Sequence, residues 1–171
     1  MILDWLLRSR TWFLAIFLGC AGLLGYGLYL QHALDLEPCP MCILQRYAFA
    51  GCGIVALIAG LHNPARRGAG FYAGLVSVVA LAGAGVAARQ TWLQHNPPRI
   101  ADCGPDLEFM VGSFPLAEAL PMIFRGSGDC SKVDWTFLAL SIAEWALVAF
   151  IGIVVASAMA WSTAGRFRRR T

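Results

Sequence analysis

Glu37-Pro38-Cys39-Pro40-Met41-Cys42-Ile43-Leu44-Gln45-Arg46-Tyr47 joins one long apolar run of this chain to the next. Pro38 cannot continue an interior helix, and with Pro40 it keeps the segment out of regular structure. A helix is therefore predicted to begin near Met41–Ile43 and to carry the apolar run that follows. A bilayer core requires about 20 consecutive apolar residues per spanning helix. Working outward from the junction, stretches of that kind occur at about Trp12–Leu30, Ile43–Leu61, Gly70–Ala88 and Trp135–Ala160. They nearly use up the 171 residues, of which 58% are hydrophobic and 13% charged, so no separate soluble domain fits. The expectation is an all-α integral membrane protein: a four-transmembrane-helix bundle, one domain over residues 1–171, with loops at about 31–42 and 89–134.

The first run follows Arg8 and Arg10, as a signal peptide would, and Phe17-Leu18-Gly19-Cys20 has a faint lipobox look. It nevertheless continues to Leu30 without a small-x-small cleavage site, which favours a retained helix. Arginines fall before helix one (Arg8, Arg10), in the short second loop (Arg66, Arg67) and in the tail (Arg166, Arg168, Arg169, Arg170). In a four-span chain those places share one side, and the positive-inside rule makes that side cytoplasmic, with both termini on it. In the long segment on the other side, Arg89, Arg99, Arg125 and Lys132 are offset by Asp102, Asp106, Glu108, Glu118, Asp129 and Asp134. The basic tail reads as a topology signal in contact with anionic lipid rather than as a nucleic-acid site.

Six cysteines are present. Cys39, Cys42, Cys103 and Cys130 fall on the non-cytoplasmic side, where disulfides form and persist. Cys20 and Cys52 lie inside apolar runs and read as small hydrophobes. Cys42 comes at a helix N-terminus, whose partial positive charge favours thiolate, and Arg46 follows one turn along the same face. Both influences point to a reactive sulfur. C-x-x-C alone leaves open a structural disulfide or half of a Cys-four zinc site. Arg46, near the end of a spanning helix, could also simply snorkel to the interface.

Gly83-Ala84-Gly85-Val86-Ala87-Ala88 matches a dinucleotide fingerprint, but no strand precedes it, so it reads as close helix packing, as does Gly70-x-x-x-Gly74. Arg89-Gln90-Thr91-Trp92 is expected to end helix three. In the long loop, Asp102-Cys103-Gly104-Pro105 and Gly126-Ser127-Gly128-Asp129-Cys130-Ser131 place two cysteines in turn-rich, polar contexts. Either the two staple the loop, or their disulfide exchanges with a partner. Ser113 is a candidate cap for a short interfacial helix with Leu116, Leu120, Ile123 and Phe124 on its apolar face. His95 reads as a loop residue. Glu144, placed about two turns into helix four, reads either as a functional acid or as an interhelical hydrogen-bonding group.

Pro38-Cys39-Pro40-Met41-Cys42 followed by Gln45-Arg46, the pair Cys103 and Cys130, and Gly128-Asp129-Cys130 within four spans together resemble the DsbB family of bacterial disulfide-bond-formation proteins. The resemblance covers nearly the whole chain. It implies an enzyme of the bacterial inner membrane, a protein-disulfide:quinone oxidoreductase that reoxidises the periplasmic thiol oxidase DsbA. It implies redox-active disulfides Cys39–Cys42 and Cys103–Cys130, with Cys103 meeting DsbA and Cys42 nearest the quinone. Arg46 would assist that quinone, ubiquinone or menaquinone, and the polar group some relatives carry at the end of helix three maps to Arg89 or Gln90. No metal, flavin or haem is expected. Two other readings stand beside it. A vitamin K epoxide reductase-like enzyme would carry its C-x-x-C late in the chain, before the last helix. A membrane scaffold with structural disulfides would give no reason for Arg46 beside Cys42.

Overall fold

The computed structural model describes residues 9–35, 38–97, 131, 133 and 135–164. Among them the chain forms α1 (Ser9–Ala33), α2 (Pro40–His62), α3 (Arg66–His95), a two-stranded hairpin of β1 (Thr136–Phe137) and β2 (Leu140–Ser141), and α4 (Ile142–Ala164). All four helices are long and apolar enough to cross a bilayer. Each packs on the next and α4 returns to α1, which closes a four-helix bundle. Between 22% and 33% of each apolar window is buried inside the bundle, and the outward faces still carry Leu18, Ile54, Phe71, Val78, Ile151 and Val155. A soluble bundle would present charge there. This is a surface built for hydrocarbon.

The bundle holds together through small residues. Ala69, Ala73, Val76, Ala80, Gly83 and Ala87 form one buried face of α3. At Gly83 an added Cβ would lie 2.4 Å from Phe150 Cζ, so glycine is what lets Phe150 slide in and stack on Phe49, ring centroids 4.0 Å apart. Close approach, and not nucleotide binding, explains that glycine. Gly70 likewise lies against Trp161, whereas Gly74 and Gly85 face open space, so only the first glycine of Gly70-x-x-x-Gly74 packs. Ser77 Oγ and Ser157 Oγ share a hydrogen bond of 2.7 Å across α3 and α4. Asn63, in the left-handed region at φ 46°, ends α2 with its N–H on Ala59 O, and Pro64 then prevents continuation.

The helices extend past the apolar runs at most ends, because hydropathy marks the hydrocarbon while backbone hydrogen bonding continues into the interface. Thus α2 starts at Pro40, and α3 carries Arg89–His95 as helix, which makes His95 helical rather than a loop residue. The fourth run behaves differently. Its first residues, from Trp135, are not helical; Thr136 and Phe137 pair with Ser141 and Leu140, and α4 begins only at Ile142. Ser141 and Glu144 form a reciprocal cap there: Ser141 N donates to Glu144 Oε2 at 2.7 Å and Glu144 N donates to Ser141 Oγ at 3.3 Å. Glu144 therefore stands in the first turn of α4, as a local cap. The loop cysteines Cys103 and Cys130, the Ser113 helix, Arg8 and the basic tail lie outside the described residues.

Candidate redox site and its cavity

The sulfurs come first. Cys39 takes the N-cap position of α2 with extended backbone (φ −65°, ψ 162°), and Pro40 supplies the first helical residue, where its missing N–H costs nothing. Cys42 follows within the same first turn. Its Sγ lies 3.1 Å from Cys39 Sγ, and both residues are half-buried. Closing that gap to a bond of about 2.05 Å takes about 1 Å of movement.

A glutamine faces both sulfurs. Gln90 Nε2 lies 3.2 Å from Cys42 Sγ and 3.4 Å from Cys39 Sγ. Its amide oxygen accepts from Gln45 Nε2 at 2.7 Å, in a site where Gln45 and Gln90 are 3% and 4% exposed. Since an amide has one acceptor end and one donor end, the Gln45 bond turns the Gln90 N–H donors toward the thiols. Donors and a helix N-terminus facing two sulfurs are the charge distribution that stabilises a thiolate. Of the two residues the sequence offered at the end of helix three, the geometry selects Gln90 for this contact. The signal was there: Gln45 is the one amide in α2, one turn from Cys42, and Gln90 is the first of two amides near the end of the next helix.

Arg46 is placed by α1. Its Nη1 donates to Gln31 Oε1 at 2.6 Å and its Nη2 to Gly27 O at 3.1 Å. The guanidinium is thus tethered at a fixed place on the same cavity wall as Cys42, with those hydrogen bonds directed to α1.

Cys39, Cys42, Arg46, Gln90 and Gln94 are among the residues lining a largely apolar cavity of about 640 Å³. Its body is lined by Leu24, Phe49, Trp135, Phe137, Trp145 and Ala149, among others. The hairpin segment adds two aromatics to that wall, Trp135 and Phe137. Trp135 and Phe137 stack at 6.1 Å, Tyr26 meets Trp135 edge-on at 6.0 Å, and Trp145 Nε1 donates to Phe137 O at 3.0 Å. The turn joining the strands, Leu138 and Ala139, has φ of 53° and 63°, a conformation that usually calls for glycine or asparagine. No group of three or more His, Cys, Asp or Glu with metal-binding geometry occurs among the described residues.

A dithiol at a helix N-terminus, opening on an apolar cavity within a four-helix membrane bundle, defines a multi-pass membrane protein built for thiol–disulfide chemistry. The family model described as disulfide bond formation protein DsbB matches residues 9–160. Disulfide bond formation protein B of Aromatoleum aromaticum is 64% identical over 151 residues, 88% of this chain and 91% of its own length. The protein of that name from Azoarcus sp. is 62% identical over 143 residues (84% and 86%), and that from Hahella chejuensis 50% over 156 (91% and 94%). The chain belongs to the DsbB family.

Proposed function

We propose that the chain is a protein-disulfide:quinone oxidoreductase of the bacterial inner membrane. In this reading it reoxidises a DsbA-type periplasmic thiol oxidase and passes two electrons to ubiquinone or menaquinone. The observation that carries the reading is the joint placement of the Cys39–Cys42 dithiol, Arg46 and Gln90 on an apolar cavity. A prenylated ring with carbonyl oxygens fits that chemistry: the lining is largely apolar, and Arg46, Gln90 and Gln94 add cationic and amide groups to it. When bound, a quinone supplies the acceptor for two electrons and two protons.

The chain's own residues do the rest. A partner thiolate attacks Cys103 of a Cys103–Cys130 disulfide; resolution leaves the partner oxidised and both loop cysteines as thiols. Those thiols reduce a Cys39–Cys42 disulfide through a second mixed disulfide, so one electron pair moves inward at each exchange. Cys39 and Cys42 then re-form their disulfide, giving up two electrons and two protons. Gln90 and the α2 N-terminus hold the negative charge on Cys42 before that step, and Arg46 offers its charge to an electron-rich carbonyl oxygen. Placing Cys39, Cys42, Cys103 and Cys130 in the periplasm and both termini in the cytoplasm follows from the arginine distribution. The C-x-x-C before the second helix, with the family match, argues against a vitamin K epoxide reductase-like enzyme. The decisive experiment is anaerobic mixing of the purified protein with quinone and reduced DsbA, following quinone loss. The reading requires stoichiometric loss that vanishes in Cys42→Ser. Absence of loss with the unaltered chain would overturn it.

A further inference from the structure

Ser141 stands where the hairpin ends and α4 begins, and it is 4% exposed. In its cap the hydroxyl oxygen already accepts from Glu144 N, so its one proton remains to be placed. That proton reaches across to the last turn of α3, where Ser141 Oγ donates to Gln94 Oε1 at 2.7 Å. Gln94 lines the cavity. Turned over, its amide would aim N–H groups at a hydroxyl that needs an acceptor, and a buried donor would be left unpaired. The cap therefore dictates which end of the Gln94 amide is left for the cavity.

Of the other polar groups there, Arg46 is tethered through Nη1 and Nη2 to Gln31 and Gly27 with N–H donors to spare, and Gln90 faces the two sulfurs. Among the described residues, no protein acceptor takes the N–H donors of Gln94. We propose that Ser141 is a positioning residue for the cavity: it holds Gln94 by its amide oxygen and so presents the amide N–H groups to a carbonyl oxygen of the bound ligand. The cap that orders Ser141 is braced from the same helix end, where His95 Nε2 lies 3.8 Å from Glu144 Oε1. The inference rests on the quinone reading above and adds to it a residue of the hairpin–helix junction, outside the cavity.

The test reads binding without turnover. Trp135 and Trp145 line the cavity, so a short-chain ubiquinone titrated into the detergent-solubilised chain gives a Kd from fluorescence quenching. Loss of one hydrogen bond predicts that Ser141→Ala weakens Kd about three- to tenfold. Ser141→Gly, which retains most of the cap's helix-starting capacity, should weaken it equally, and Ser141→Thr should restore it to within about twofold. Gln94→Ala should weaken Kd by a similar factor, and adding Ser141→Ala to it should change nothing further. The proposal is overturned if Ser141→Ala and Ser141→Gly bind like the unaltered chain. It is equally overturned if the Ser141 effect persists undiminished in the Gln94→Ala background, which would make the serine merely structural. Absence of saturable quenching in the unaltered chain would remove the quinone reading itself, a result distinct from both.

Discussion

Gln90 offers the sharpest measurement, because one side-chain amide touches both sulfurs. Its two N–H donors, 3.2 and 3.4 Å from Cys42 and Cys39, stabilise the reduced pair far more than a disulfide, whose sulfurs are poor acceptors. A hydrogen bond to a charged group contributes about 1.5–3 kcal/mol, and for a two-electron couple about 1.4 kcal/mol corresponds to 30 mV. Gln90→Leu should therefore move the Cys39–Cys42 couple about 30–60 mV more negative. The substitution also strands Gln45 Nε2 in a site 3% exposed, at about 1–3 kcal/mol of stability. Changing both glutamines to leucine should relieve that loss and leave the potential shifted. The assay equilibrates quinone-free protein, with Cys103 and Cys130 changed to alanine, in dithiothreitol redox buffers, then alkylates and counts thiols. A couple that stays within about 10 mV of the unaltered value, or returns to it in the double variant, would refute the assignment of Gln90 to the sulfurs.

Gly83→Ala should destabilise the bundle by about 1–3 kcal/mol through overpacking against Phe150, while Gly85→Ala, facing open space, should melt as the unaltered chain does; thermal unfolding in detergent decides. Arg46→Ala should raise the quinone KM severely and Arg46→Lys mildly, since lysine retains charge but loses the planar fork now shared between Gln31 and Gly27. Normal turnover of Arg46→Ala at low quinone would show a residue that only snorkels. After reduction, Cys39, Cys42, Cys103 and Cys130 should react with membrane-impermeant maleimide from the periplasmic side alone, and labelling from the cytoplasm would reverse the proposed orientation. With Cys130→Ala, a DsbA adduct should accumulate at Cys103; an adduct at Cys39 or Cys42 instead would overturn the order of exchange.

The bundle was legible because hydrocarbon demands a long apolar run and little else has one. Helix ends were less so: Arg89, Gln90 and His95 are polar, yet their backbone bonds continue α3 for about two turns beyond the run. The hairpin was invisible to hydropathy, since Trp135, Phe137 and Leu138 are as apolar in a strand as in a helix; the clue was Ser141 with Glu144 three residues on. The two prolines correctly placed Cys42 at a helix start. Spacing along α2 put Arg46 on the same face as Cys42, but its partners depend on where α1 lies. The role of Gln90 depends on which face of α3 meets α2. Those are facts about packing between helices, and Gly83 and Gly85 make the same point: neighbours in one apparent fingerprint, one sits against Phe150 and the other against nothing.

The burial of Cys20 and Cys52, 1% and 0% exposed, acquires a meaning in a protein that handles disulfides for others. In such a protein a stray thiol within reach of an exchanging disulfide would be drawn into a dead-end bond. Exchange demands that an attacking sulfur approach along the axis of the bond it breaks. Cys52 turns its hydrogen toward Val76 O, 3.7 Å away in the next helix, and Cys20 is walled in by Gly53 and its surroundings, a Cβ at Gly53 lying only 3.2 Å from the Cys20 Cβ. The bundle thus sorts its cysteines by steric access: Cys39 and Cys42 line the cavity, while Cys20 and Cys52 are packed away inside the helices, out of reach of an incoming partner. Native-state alkylation followed by alkylation of the denatured chain would separate the two populations, with Cys20 and Cys52 appearing only in the second.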